Sequence, residues 1–195
     1  FNLTYISDFL DYLLLDRDSS ARTRNNYKIW LSSFCSWLVE KQYMETNPCE
    51  HIKSLKEEDK KRTAISPEDL KRITKYLSEN DPYYLLVCRM EYYTFIRPEE
   101  LTNIKLCDIN LKEQKILVAS NISKNRRDGM VGLNDEIIKQ MIDLHIFDND
   151  TNCYLFSKGF KPGYKKITTR VIRDRFYKLR SVLKLPDTYL FYSFK

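Results

Sequence analysis

The chain has 195 residues, with 33 Lys or Arg against 27 Asp or Glu for a net charge of +6, and its 43% hydrophobic and 31% charged content is that of a folded globular protein, not a disordered one. Four Gly and six Pro exclude collagen-like and low-complexity architectures. No apolar run approaches the roughly 18 residues of a membrane-spanning helix, and no N-terminal stretch reads as a signal peptide.

The sequence opens at Phe1 without Met and is expected to be a piece of a longer protein. Tyr5, Ile6, Phe9, Leu10, Leu13 and Leu14 recur at helical spacing, and so do Tyr27, Trp30, Leu31, Phe34 and Leu38. Two helices are predicted, separated by the polar, cap-rich stretch 16–24, with the second ending near Gln42 and Asn47-Pro48 marking a turn. The run KSLKEEDKKR from Lys53 to Arg62 is almost wholly charged and reads as interdomain linker. The domain division expected is 1–57, a linker at 58–65, and a second domain over 66–195.

Ser66-Pro67-Glu68-Asp69 combines an N-cap Ser, a first-turn Pro and a partial capping box, since Asp stands where Glu or Gln is usual. Leu70, Ile73 and Leu77 give the helix that follows its stripe, and a thoroughly hydrophobic helix from about Tyr83 to Phe95 is expected to be buried. Arg97-Pro98-Glu99-Glu100-Leu101 starts a short helix. Strand-like runs follow at Asn103–Leu106, Lys115–Ala119 and Met130–Leu133, the last two flanking a polar turn at Ser123–Gly129 and suggesting a hairpin. Asn134 caps a helix carrying Ile137, Ile138, Met141 and Ile142, and a short strand is expected at Tyr154–Phe156. A final helix from about Thr168 to Lys184 places Ile172, Phe176, Leu179 and Leu183 on one stripe and Arg170, Arg173, Tyr177, Arg180 and Lys184 on its neighbour.

Charge is unevenly distributed. Residues 1–60 hold eight basic and ten acidic residues, whereas the segment from Lys158 onward holds eleven basic residues against Asp174 and Asp187 alone. Such clustering is either a solvated helix face or the footprint of a polyanionic partner, nucleic acid before membrane surface. The five cysteines form no CxxC pair and read as reduced, buried thiols. His51 and His145 have no cysteines at ligand spacing, so no zinc site is expected. With two histidines and four glycines, neither a hydrolase triad nor a phosphate-binding glycine loop can be assembled.

Two positions carry chemistry on residue type and place. Arg97, directly behind the buried helix with Glu100 three residues on, is either a structural ion-pair partner or a braced guanidinium that forks onto a phosphate. Lys124, in the hairpin turn ahead of Arg126 and Arg127, is either solvated or reaches into a groove to protonate a leaving oxygen.

In order along the chain, these features resemble the tyrosine recombinases, the phage integrase family, as found in integrases of bacterial mobile elements. TRNNYKIWLSSFCSWLVEKQYMETNPCEHI looks like the second half of a core-binding domain, and RTAISPEDLKRI like the start of a catalytic domain. YTFIRPEEL is similar to the box around the first catalytic arginine, SKNRRDGMVGL to the hairpin bearing the catalytic lysine, and LPDTYLFYSFK to the lead into the H-x-x-R box. The resemblance implies a mainly α fold with a small antiparallel β-sheet (α+β): a helical core-binding domain and a mixed catalytic domain of the DNA breaking-rejoining type.

It further implies Arg97, Lys124, Tyr192 and Lys195 around a scissile phosphate, Glu100 supporting Arg97, and Arg126, Arg127, Arg170, Arg173, Arg180 and Lys184 on the DNA backbone. Two departures stand out: Phe95 occupies a position where Gly is common, and the last box reads Tyr192-Ser193-Phe194-Lys195, with Tyr for His and Lys for the second Arg. The nucleophilic tyrosine is implied beyond Lys195, so the chain alone is expected to be catalytically incomplete. The partners implied are duplex DNA and further copies of the protein, as a tetramer on DNA, in the bacterial cytoplasm at the nucleoid. No metal or other cofactor and no membrane is implied. The alternative is a non-catalytic DNA-binding module related to integrases.

Overall fold

The computed structural model describes residues 2–58, 63–119 and 128–194. It is mainly helical with one three-stranded antiparallel sheet, as the resemblance implied, and divides into two compact units, residues 1–61 and 62–195. Among the described residues no helix is long and apolar enough to cross a membrane.

The first unit is built on α1 (Leu3–Leu15) and α2 (Ala21–Glu40), each started by a side-chain cap, Asn2 and Ser20 respectively. Its core gathers Ile6, Leu10 and Leu13 of α1 with Cys35, Cys49 and Ile52, and Tyr27, Leu31 and Met44 pack on it. Only part of the predicted α1 stripe is buried, and of the predicted α2 stripe Tyr27, Leu31 and Leu38 are half-buried while the buried apolar residue is Cys35. Tyr5, Trp30 and Phe34 stay exposed, because two helices and a turn cover less than the full apolar arc. Asn47 pins its turn to α2: its amide donates to Ser32 O at 3.0 Å and Ser36 Oγ at 2.9 Å, and its carbonyl accepts Cys49 N–H at 2.9 Å. The charged run begins as part of this unit. Arg24 donates to Lys53 O at 2.8 Å, the Asn25 side chain pairs with both backbone polar groups of Leu55, and Arg22 bonds Glu57 at 2.7 Å.

In the second unit α3 (Pro67–Asn80), α6 (Asp135–Asp143) and the turns at 158–160 and 191–194 all pack on α4 (Pro82–Thr94), whose Tyr84, Leu86, Val87 and Met90 are fully buried. The short α5 (Pro98–Leu101) follows α4, and α7 (Thr169–Leu183) packs Ile172, Phe176 and Leu179 into the same core. Tyr84 ties the two long helices directly, its hydroxyl donating to Ile172 O at 2.9 Å.

The sheet runs β1 (Ile109–Asn110), β2 (Lys115–Val118), β3 (Gly129–Gly132), with Ile116 opposite Val131 in the expected hairpin. Two strand expectations are corrected. Residues 103–106 and 154–156 form no ladder; they meet through the single bridge Lys105–Tyr154 and the bonds Leu106 N–H to Cys153 O and Leu155 N–H to Ile104 O. Short runs with a few buried apolar positions, here Ile104, Leu106, Leu155 and Phe156, look alike in sequence whether they pair as strands or run as extended loop. Tyr154 also exchanges both backbone bonds with Gly163. A Cβ at Gly163 would stand 2.8 Å from Ser157 Oγ, and that hydroxyl is itself bonded to Lys165 O.

Candidate active site and basic face

Helix α4 ends abruptly. Thr94 turns its hydroxyl back onto Met90 O and accepts Ile96 N–H at 3.2 Å, while Phe95 adopts a left-handed conformation at φ 55°. Ile96 then drops into the core and Arg97 emerges as the N-cap residue of α5. Glu100, buried at 6% exposure, accepts Arg97 N–H through Oε2 at 2.9 Å and Arg97 Nη1 through Oε1 at 3.0 Å. One carboxylate thus fixes the backbone and the head of the same arginine. The Arg97 side chain is 42% exposed.

Tyr192 lies on the tight turn Phe191–Phe194, 38% exposed between buried neighbours. Phe191 and Phe194 enter a ring cluster with Phe176 of α7, at centroid separations of 5.7–6.1 Å, and that anchorage turns Tyr192 outward. The two elements share neighbours: α4 and α7 each contact both α5 and the 191–194 turn. Lys124, Arg126, Arg127 and Lys195 lie outside the described residues.

On α7, Arg170 is exposed and pairs with Asp174 at 3.5 Å, while Arg173 and Lys184 are exposed. Arg180 departs from the stripe reading. Its side chain is only 20% exposed and donates to Asp187 O at 2.7 Å and Tyr189 O at 3.1 Å, with its guanidinium over the Tyr177 ring. It braces the segment after α7; Leu183 and the reversal at Lys184 bring the chain back alongside it, which no helical periodicity foretells.

A cation outside the expected set stands beside α5. Lys166 Nζ donates to Asn103 Oδ1 at 2.9 Å, and Asn103 in turn donates to Glu99 O at 2.7 Å. The signal was the lysine-rich loop itself, but sequence alone does not say which of its lysines reaches Arg97's helix.

Residues 63–188 match the phage integrase family. The chain belongs to that family. The protein IntQ of Escherichia coli (strain K12), which its name calls defective, is 30% identical over 116 residues, 60% of this chain and 29% of that protein. Tyrosine recombinase XerD of Rickettsia bellii (strain RML369-C) is 22% identical over 174 residues, 82% of this chain and 57% of XerD. The chain therefore spans little more than half, or less, of the curated relatives it matches. The integrase of transposon Tn1549, solved in complex with transposon right end DNA, shares the fold at a TM-score of 0.81 with 14% identity, over 100% of this chain and 70% of that one. The integrase resemblance read from the motifs is thus borne out at the level of family and fold.

Proposed function

We propose that this chain is the DNA-handling part of a site-specific tyrosine recombinase that binds duplex DNA and exchanges strands through a 3′-phosphotyrosyl intermediate. The observation that carries the reading is Arg97, held at two points by the buried Glu100 at the α4–α5 junction, with its side chain partly exposed. A guanidinium fixed in this way is suited to stabilise charge building on a phosphoryl oxygen.

In this reading Arg97, Tyr192 and Lys195 surround the scissile phosphate and Lys124 protonates the departing 5′ oxygen. The attacking hydroxyl comes from none of the chain's own tyrosines; Tyr189, with its hydroxyl bonded to Ser66 and Asp69, is poorly placed for attack. Arg126, Arg127, Arg170, Arg173 and Lys184 track the backbone, while Arg180, on the helix of Arg170 and Arg173, braces the segment that follows it. The assembly is a tetramer on two duplexes, working in the bacterial cytoplasm at the nucleoid. The DNA-bound Tn1549 relative and the net +9 of the segment from Lys158 onward support a duplex partner.

A second reading, a DNA-binding relative without strand cleavage, is favoured by Tyr192 and Lys195 standing where the family box has His and Arg. A nicked duplex that traps covalent protein–DNA adducts separates the two when applied to the protein expressed from its whole reading frame. Recombinase chemistry gives an adduct that Arg97→Ala abolishes while duplex binding persists. Adduct at wild-type rate in Arg97→Ala overturns the site, and binding without any adduct favours the second reading.

A further inference from the structure

The start of α3 is capped in an unusual way. Ser66 Oγ accepts Asp69 N–H at 3.1 Å, which is one half of a capping box. In the other half a Glu or Gln side chain reaches back to the N-cap amide. Asp69 is one methylene shorter, and its Oδ2 instead accepts the Ser66 hydroxyl at 3.0 Å. The Ser66 N–H is taken by a residue 123 positions away: it donates to the Tyr189 hydroxyl at 3.1 Å, and that hydroxyl donates to Asp69 Oδ2 at 3.1 Å. Tyr189 completes the cap.

Tyr189 is also the root of the segment that bears Tyr192. Its ring is buried, its carbonyl accepts from Arg180, and Leu190 N–H donates to Ser193 Oγ at 3.0 Å. Beside it Ile65 N–H donates to Ser193 O at 3.0 Å, so residues 65–66 hold the 189–193 segment twice. Arg72 closes the arrangement, bonding Asp69 Oδ1 and Leu183 O, both at 2.7 Å.

We propose that Tyr189 is a positioning residue: by serving as the missing arm of the α3 cap, its hydroxyl sets where the 191–194 turn and its Tyr192 stand relative to the rest of the unit. The inference rests on the reading of Tyr192 as part of the catalytic site. The ring alone fills its core position, while the hydroxyl fixes the segment's register against α3.

The test is Tyr189→Phe, which keeps the ring and deletes only the bridging oxygen. In this chain, hydrogen exchange across 189–194 should accelerate severalfold. In the protein from the whole reading frame, adduct formation on a nicked duplex should slow about tenfold at saturating DNA, with duplex affinity unchanged. Tyr84→Phe, which removes a buried hydroxyl bond to Ile172 O instead, should leave that rate near wild type. Unchanged exchange in 189–194, or a wild-type adduct rate while Arg97→Ala abolishes adducts, overturns the positioning role and leaves the site intact. An equal slowing in Tyr84→Phe also overturns it, because the loss is then one of general stability. If Arg97→Ala leaves adduct formation untouched, the site reading falls and this inference falls with it.

Discussion

Glu100 grips Arg97 twice, by its amide and by its guanidinium, from a position almost closed to solvent. The arginine is thereby held by the helix it starts. Glu100→Ala removes both bonds and leaves the Arg97 amide without its acceptor. It should cost about 1–3 kcal/mol in urea unfolding of this chain. Glu100→Gln, which keeps an acceptor for the amide, should cost less.

Phe95 occupies a conformation that glycine adopts without penalty, at φ 55°, and the residue is 62% exposed. Phe95→Gly trades the left-handed strain of an L-residue for greater freedom in the unfolded chain. The net should be a stabilisation of up to about 1 kcal/mol, read as a raised urea midpoint.

Asp69 makes the second unit sensitive to acid. Partial burial works against its charged form, but bonds from Ser66, Arg72 and Tyr189 outweigh it and hold the carboxyl below its ordinary value of 3.8. A carboxyl depressed on folding contributes stability above that ordinary value and loses it as pH falls through the lower folded one. Urea midpoints measured from pH 5 downward should fall below about pH 4 in the native chain, and the fall should be shallower in Asp69→Asn.

The cysteines should divide sharply under thiol labelling. Cys107 is exposed, whereas Cys35, Cys49, Cys88 and Cys153 are buried. Burial, and then the neighbouring Cys35 thiol, push Cys49 up to about 11. Native-state alkylation at pH 8 followed by mass spectrometry should modify Cys107 alone, and urea should release the other four.

Arg173 and Arg180 sit on one helix and should fail differently. Arg173→Ala, at an exposed position, should leave stability unchanged and lower the slope of log K against log salt for duplex binding by about 1. Arg180→Ala removes bonds to two backbone carbonyls and should lower the thermal midpoint.

These contrasts mark what the sequence could say. Helices α3, α4, α6 and α7 were legible because caps and apolar spacing are local, and the Arg97–Glu100 pair was legible because its partners are three residues apart. The inward turn of Arg180 and the role of Tyr189 depend on a chain reversal at Lys184 and on contacts more than a hundred residues apart, which carry no periodic signature. The runs at 103–106 and 154–156 failed for another reason: their burial was visible, but a buried extended segment carries no mark of whether a second strand lies beside it. The left-handed turn at Phe95 was visible only as a departure from the family's glycine.

The stitch between Tyr154 and Gly163 has a consequence for how this protein can diversify. With Ser157 Oγ 2.8 Å from where a Cβ would be, position 163 admits no larger residue without displacing the Ser157 side chain, whose hydroxyl holds Lys165 O in the loop that carries Lys158, Lys161, Lys165 and Lys166. Lys166 is tied to Asn103 and Lys161 lies over the Tyr83 ring, but the exposed Lys158 and Lys165 are under no such restraint, so a lineage can drop or reverse charge at those two positions while the loop's path stays constant. The chain keeps its frame at one glycine and leaves its electrostatics open to drift.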